Sequence, residues 1–148
     1  MTQHISHNTA HNWGLPLLRL HFGMILLAHG LLLKVMTFTI PGTVGYFASL
    51  GIPAIASYLI IFGEVCGGLA LIAGFQTRLV SALSLPILIG ATLFHLPSGW
   101  LFSAEGGGWE FPASLVVIAL TLVMTGGGGK SLAALPAVND RLPSFLKN

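Results

Sequence analysis

The stretch LIIFGEVCGGLALIAG, from Leu59 to Gly74, decides the fold. It contains a single carboxylate, Glu64, among apolar and small residues. A run of this kind is typical of a membrane-spanning helix, which needs about 20 predominantly apolar residues. An acid at mid-membrane costs about 2.5 to 3.5 kcal/mol on insertion scales, so such a residue usually faces the bundle interior and has a partner there. We therefore expect Glu64 to meet a polar group on a neighbouring helix.

The whole chain has the composition of a membrane protein. Of its 148 residues, 54% are hydrophobic and only 7% are charged, and the mean hydropathy is +0.87. A soluble domain carries about 25% charged residues. The length indicates one domain.

Four apolar segments predict an all-α, polytopic membrane protein with a four-transmembrane-helix bundle. Three of the segments are long enough to cross a bilayer or nearly so, and the fourth is short and needs an upright helix or a thinned bilayer. The segments are Trp13 to Leu33, Ile52 to Phe75, Leu79 to Leu96, and Phe111 to Thr125.

The bundle is expected to occupy residues 13–129, between a polar tail over 1–12 and a second tail over 130–148. The residues before the first segment contain no Lys or Arg, and no small-residue cleavage site follows it. These features argue against a removable signal peptide, so the first segment is expected to remain as a helix.

Basic residues predict the orientation. Arg78, Lys130, Arg141 and Lys147 lie on one side of the expected bundle, whereas the other side has only Lys34. This bias favours both termini in the cytoplasm. The pI of about 9.0 comes from this flank and from a net charge of +2, and it does not indicate nucleic-acid binding.

The connections have distinct patterns. Breakers and aromatics between Lys34 and Gly51 predict a short helix on the outer face, and Gly74 to Arg78 predicts a tight turn. The run GGGGKS, from Gly126 to Ser131, imitates a phosphate-binding loop but lacks that motif's first glycine and a preceding strand. We interpret it as a helix stop.

Glu64 has a predicted partner in Arg19. From the inner surface, Arg19 would lie about 9 Å deep and Glu64 about 15 Å, a gap that an arginine side chain spans. Small residues would let the two helices approach closely. On the first helix this face comprises Arg19, Gly23, Gly30 and Lys34. On the second, Gly67 and Gly68 lie beside the acid, and Gly63 and Gly67 form a G-x-x-x-G pair.

Two other interpretations of this pair stay open. A buried ion pair can fix packing without any chemistry. Alternatively, Glu64 is protonated, because burial disfavours the charged form, and it then donates a hydrogen bond to a ligand or a backbone carbonyl.

A second polar cluster is expected near the outer surface. Lys34, His95 and Glu110 each lie at the end of a predicted span, and His29 lies about one turn deeper. A histidine there can exchange protons or bind a metal, so His29, His95 and Glu110 form an alternative metal-ligand set. The structural alternative is an interfacial histidine that water satisfies.

Other chemistries find little support in the sequence. Cys66 is the only cysteine, which argues against a self-contained disulfide-forming enzyme. No haem or iron–sulfur motif is evident, so the chain is not expected to transfer electrons unaided.

The sequence resembles the DoxX family of small four-helix bacterial membrane proteins, from Leu18 to Leu132. The resemblance rests on several short pieces in the family's order: RLHFG and GLLLK in the first span, GEVCGGLALIAGFQTR from Gly63, HLPSG at the end of the third span, GGWE before the fourth, and GGGKSL after it. The family's recurrent polar positions would then be Arg19, Lys34, Glu64, Arg78, His95 and Glu110. The family pattern usually has an acid after the final Ser-Leu pair, where this chain has Ala133.

The resemblance implies a subunit of a redox complex in the bacterial inner membrane. We expect such a subunit to bind quinone or another small apolar ligand between helices. A protonated Glu64 or His95 would then be the catalytic group that hydrogen-bonds a quinone carbonyl and passes protons, and because their depths differ only one of them would touch the ring. A soluble or membrane redox partner would supply electrons for thiol, sulfur or oxidative-stress chemistry. The alternatives are a metal or small-solute handling protein and an assembly scaffold without catalysis, and a homo-oligomer is compatible with each of them.

Overall fold

A computed structural model describes residues 13–129, and every regular element in that range is a helix. The first helix changes from α to π winding partway along, and a short helix and a 3-10 turn lie in the connections. In chain order the elements are α1 (Gly14–Leu27), a π-helical segment (Ala28–Thr37), α2 (Ile40–Ser49), α3 (Ala54–Ala73), α4 (Thr77–His95), a 3-10 turn (Leu96–Ser98) and α5 (Glu110–Thr125).

These elements confirm the predicted fold class, because an all-helical chain with long apolar helices is compatible with a membrane helical bundle. Three helices are long and apolar enough to cross a membrane: Gly14–Thr37, Ala54–Ala73 and Thr77–Ser98. The fourth, α5, has 16 residues and is as short as the sequence indicates. The predicted tails, with Lys130, Arg141 and Lys147, lie outside the described residues.

Each long helix buries one narrow stripe, because residues three and four apart share a helix face. The π-helical segment and α1 pack on α3, and α4 packs on α5. Apolar side chains at the centre join the two pairs into one core, which comprises Phe22, Leu26, Leu71, Leu88, Leu115, Ala119 and Leu122.

Glycine brings α1 and α3 into backbone contact. A Cβ atom added to Gly68 would lie 2.7 Å from the backbone nitrogen of Leu27, and one added to Gly23 would lie 2.9 Å from the carbonyl oxygen of Gly68. No larger residue fits without moving a helix, which is the usual role of small residues between membrane helices.

The glycines of α3 serve two different neighbours. Gly68 belongs to the stripe that faces α1, whereas Gly63 and Gly67 approach Ile87 and Val80 of α4. The expected G-x-x-x-G pair of Gly63 and Gly67 thus faces α4, and of the two glycines expected beside the acid, Gly68 faces α1 and Gly67 faces α4. Consecutive glycines point in different directions around a helix, so α3 approaches a neighbour closely on each side.

The connections form as predicted. Gly74, with a φ of 72°, ends α3 in the left-handed conformation, and the turn to α4 is tight. Gly126, with a φ of 77°, ends α5, which confirms the glycine run as a helix stop. The short helix expected between Lys34 and Gly51 is α2, whose N-cap Thr39 accepts a hydrogen bond from the Gly42 amide.

The bundle has two ends, which are named here by a residue at each. The Arg78 end holds the start of α1, the turn between α3 and α4, and the end of α5. The Trp100 end holds α2 and the connection between α4 and α5.

Replacing Gly68 by alanine is expected to destabilise the bundle by about 1 to 3 kcal/mol, because overpacking of a tight contact forces backbone shifts. Thermal unfolding of the purified protein in a mild detergent measures the change. Gly90→Ala in α4 is the matched control, since a Cβ there meets nothing within 4 Å. Equal unfolding temperatures for the two variants would contradict the close α1–α3 contact.

Candidate functional site

The interior acid is paired with Lys34. The Lys34 Nζ atom donates to both carboxylate oxygens of Glu64, at 2.8 Å to Oε1 and 2.7 Å to Oε2. The Glu64 residue is 5% exposed, and its partner's side chain is 16% exposed. The two charges therefore satisfy one another inside an apolar bundle, as a membrane acid requires.

The π-helical segment carries the lysine to this position. Its bonds join residues five apart, as in the 2.8 Å contact between the Phe38 amide and the Leu33 carbonyl. Gly30 lies directly over the acid, because a Cβ there would lie only 2.8 Å from the Cβ of Glu64. A π segment inside a membrane helix is rare and frequently marks a functional site.

The short helix α2 is fastened to the same lysine. The Thr43 hydroxyl donates to the Lys34 carbonyl oxygen at 2.9 Å, and Thr43 is buried. The backbone of Lys34 thus holds α2, while its side chain holds α3. The sequence analysis did not single out Thr43, because a threonine in a connection carries no signal of this contact.

The predicted Arg19–Glu64 ion pair is wrong. Arg19 is buried, but its Nη1 atom donates to the Leu71 carbonyl at 2.8 Å and the Ile72 carbonyl at 3.3 Å. These carbonyls lie in the last turn of α3, where the helix dipole is negative, and the Leu71 carbonyl also accepts the Gly74 amide at 3.1 Å. Leu71 is seven residues beyond Glu64, about 10 Å along the helix.

The outer cluster does not assemble as one site either. The His95 Nδ1 atom lies 3.0 Å and 3.1 Å from the carbonyls of Gly106 and Gly107. Glu110 accepts a 2.7 Å hydrogen bond from the Phe102 amide. Both side chains hold the connection between α4 and α5, whereas Lys34 turns inward to Glu64.

His29 occupies a position between the pair and this connection. Its Nδ1 atom donates to the Ile25 carbonyl at 2.9 Å. Its ring stacks on Phe111, with centroids 6.1 Å apart. The next residue, Gly30, lies over Glu64.

The alternative metal-ligand set of His29, His95 and Glu110 is not formed. Over residues 13–129, no three His, Cys, Asp or Glu side chains come close enough together to hold a metal ion. At the opposite end, the Arg78 guanidinium donates to the Val123 carbonyl at 3.4 Å. Arg78 thereby joins the start of α4 to the end of α5.

An aromatic groove opens beside α5 at the Trp100 end. It has a volume of about 700 Å³ and is lined by Trp100, Phe102, Glu110, Phe111, Ala113, Ser114 and Val117. The Phe111 ring forms one wall and also stacks on His29. The sequence analysis missed this groove, because Phe102 and Phe111 meet only through the folded connection.

The two polar regions and the aromatic groove thus give the bundle three chemical features. An ammonium and a carboxylate are held together in its interior. A histidine that adjoins Gly30 in the chain stacks on Phe111, and Phe111 also lines the groove. An ammonium and a carboxylate in direct contact can accept or donate a proton, and the groove can accept a flat apolar ligand.

Single substitutions of Lys34 and Glu64, together with the double variant, test the pairing. We expect Lys34→Met to cost about 3 to 5 kcal/mol of stability, because it leaves the Glu64 charge buried and unpaired. In a double-mutant cycle with Glu64→Gln, the coupling energy should be about 0.5 to 3 kcal/mol. Unfolding in detergent gives all four stabilities.

The matched cycle replaces Lys34→Met by Arg19→Met and should show additivity to within about 0.5 kcal/mol, since Arg19 does not touch Glu64. A strong coupling energy between Arg19 and Glu64, with none between Lys34 and Glu64, would support the pairing that the sequence predicts.

Comparisons with known proteins agree with this architecture. A family model described as DoxX matches residues 14–97, a range that ends before α5. A protein of Bacillus subtilis (strain 168), named "Putative oxidoreductase CatD", is 32% identical over 121 residues, which cover 80% of this chain and 84% of that protein. No solved structure matches the chain.

Proposed function

Because the chain belongs to the DoxX family, we propose that it is the membrane subunit of a redox complex and binds quinone or another small apolar ligand between its helices. The observation that carries this proposal is the Lys34–Glu64 pair, a proton donor and a proton acceptor in direct contact inside an apolar bundle. The name of the Bacillus subtilis relative supports redox chemistry as the setting.

The paired groups have a role that suits quinone chemistry. A quinone takes up or releases protons as its oxidation state changes, and those protons must reach a site that water does not readily enter. The ammonium of Lys34 can donate a hydrogen bond, and the carboxylate of Glu64 can accept one. Since the two charges neutralise each other, a proton can move between them without leaving a lone charge in the membrane.

His29 is a better-placed histidine for this role than His95. His29 precedes Gly30, which lies over Glu64, whereas His95 contacts two carbonyls of the α4–α5 connection. The function therefore involves Glu64 with Lys34 and His29, and His95 positions the connection. Electrons come from a soluble or membrane redox partner in thiol, sulfur or oxidative-stress chemistry.

The same proposal places the protein in the bacterial inner membrane with both termini in the cytoplasm. Lys34 was the one basic residue expected on the non-cytoplasmic side. It lies inside the bundle and bonds Glu64. Arg78, in the first turn of α4, is then the basic residue beside the α3–α4 turn, at the end that this proposal places in the cytoplasm.

A scaffold function is the second candidate, and one observation favours it. Glu64 accepts from Lys34 through both oxygens, and Lys34 also holds α2 through Thr43. A pair that is so fully engaged can serve packing alone. The two functions predict different results when the Lys34–Glu64 pair is replaced by neutral residues and the fold is kept. The redox function predicts that the bound ligand is lost, and the scaffold function does not.

Quinone content tests the proposal. Wild-type protein purified from membranes in mild detergent should retain extractable quinone. On washing, the Glu64→Gln variant should lose at least about ten times as much quinone as the wild type. The reason is that a hydrogen bond to a charged group contributes about 1.5 to 3 kcal/mol. Chromatography of the lipid extract gives the quinone content per protein.

Glu105→Gln is the matched control, because Glu105 is an exposed acid in the α4–α5 connection. The double variant Lys34→Gln/Glu64→Gln guards against unfolding, since it leaves no lone charge. Quinone retained by this folded double variant at the wild-type level would leave the scaffold as the function.

A further inference from the structure

The tip of the α4–α5 connection exposes three large apolar side chains in succession. Trp100, Leu101 and Phe102 are 57%, 61% and 64% exposed, and positions 96–104 contain no charged residue. Contiguous exposed apolar patches mark a contact with a protein or with a membrane, because apolar surface is costly to keep in water. This tip therefore requires an apolar environment.

The tip belongs to a connection whose backbone is bonded to itself. The Trp109 amide donates to the Gly99 carbonyl at 3.1 Å, and the Glu110 amide donates to the Trp100 carbonyl at 3.3 Å. The Phe102 amide donates to the Glu110 carboxylate at 2.7 Å. These bonds satisfy backbone groups that would otherwise need water, as backbone near membrane depth requires.

The exposed rings lie along the flank of α5 and not above its end. Trp100 and Phe102 line the aromatic groove together with Ala113, Ser114 and Val117 of α5. Ser114 and Val117 belong to the exposed side of that helix, and Val117 lies about 10 Å along it from its first residue. The tip thus descends beside the outward face of α5.

The length of α5 leaves part of a membrane span to be filled at the Trp100 end. Its 16 residues rise about 24 Å, whereas the hydrocarbon core is about 30 Å thick. At the other end, the Arg78 guanidinium donates to the Val123 carbonyl at 3.4 Å, and such a cation holds that end of the helix near the interface. The missing length of about 6 Å therefore falls beside the tip of the connection.

We infer that residues 100–102, called here the apolar wedge, insert their side chains into the lipid hydrocarbon beside α5 and complete the fourth span. The backbone of the wedge lies at the interface. The three side chains reach past it to the depth that the short helix leaves uncovered.

Lipid fits this surface better than a protein partner does. The groove beside the wedge opens onto Val117, and Met124 lies two turns further along the same side of α5. These two side chains are 63% and 77% exposed, which is typical of a helix face that meets lipid chains. The wedge continues this face, and flexible hydrocarbon chains fill an open groove without a matching shape.

The same depth accounts for the contacts of Glu110. An acid just inside the hydrocarbon boundary needs partners. Glu110 accepts the Phe102 amide and is the first residue of α5, where the helix dipole favours a negative charge. Glu105 is an exposed acid three residues beyond the wedge, so the boundary between lipid and water falls between Phe102 and Glu105.

Spin labels on the full chain in dioleoylphosphatidylcholine bilayers test the inference. Cys66 is the only cysteine, so a Cys66→Ser background accepts single labels through Leu101→Cys, Glu105→Cys or Val117→Cys. The label at 101 should collide with oxygen, which concentrates in hydrocarbon, more than with a water-soluble nickel chelate, as the label at 117 should. The matched label at 105 should show the reverse and lie about 6 Å or more nearer to water.

Bilayer thickness provides a second measurement on the same samples. In the thinner dimyristoylphosphatidylcholine bilayer α5 alone nearly spans the core, so nickel collisions should rise at 101 and stay low at 117.

Tryptophan fluorescence gives the same information without a cysteine. Trp13 lies at the Arg78 end, where it precedes α1, so Trp13→Phe leaves the two tryptophans of the connection as reporters. Lipids brominated on their acyl chains should quench this emission more than aqueous iodide does.

Equal nickel accessibility at 101 and 105, with strong iodide quenching, would place the wedge in water and overturn the inference. Shielding of the label at 101 from both oxygen and nickel would show that a protein surface covers the wedge, and would overturn it as well.

Discussion

A charge cannot stay inside an apolar bundle without a partner, and the contact between Lys34 and Glu64 meets that constraint. Much of the fold serves this contact. Gly23 and Gly68 bring α1 against α3, and Gly30 brings the π-helical segment onto the acid. Larger residues at these positions would hold the helices apart, and the lysine would lose the carboxylate.

The same constraint accounts for the second buried cation. Arg19 is also a buried cation, and it finds its partners in the backbone, because it donates to the Leu71 and Ile72 carbonyls near the end of α3. The Leu71 carbonyl also accepts the Gly74 amide, so Arg19 adds a further donor at the helix end, where the dipole favours a cation. The face of α1 and the π-helical segment thus carries a cation towards each end, and each cation meets a different kind of acceptor on α3. One acceptor is a side chain that can titrate, whereas the other is backbone.

The spans were predictable because an apolar run of sufficient length can be read directly from the chain, and glycine at 74 and 126 ends helices for a local reason. The partner of Glu64 was not predictable in the same way. The depth estimate assumed α geometry throughout the first span and ended that span at Leu33, which placed Lys34 at the surface. No proline or other local sequence signal predicts the π winding of Ala28–Thr37. The groove was not predictable either, because it depends on a contact between Phe102 and Phe111 that only the folded connection creates.

The most direct test of this account is the distance between the lysine nitrogen and the glutamate carboxyl carbon in a lipid bilayer. Magic-angle-spinning NMR of protein with ¹⁵N-labelled lysine side chains and ¹³C-labelled glutamate carboxyls measures it through their dipolar coupling. The account predicts one strongly coupled pair at hydrogen-bonding distance, which disappears in Glu64→Gln and persists in Glu105→Gln. A Glu64 carboxyl with no coupling to any lysine would contradict it.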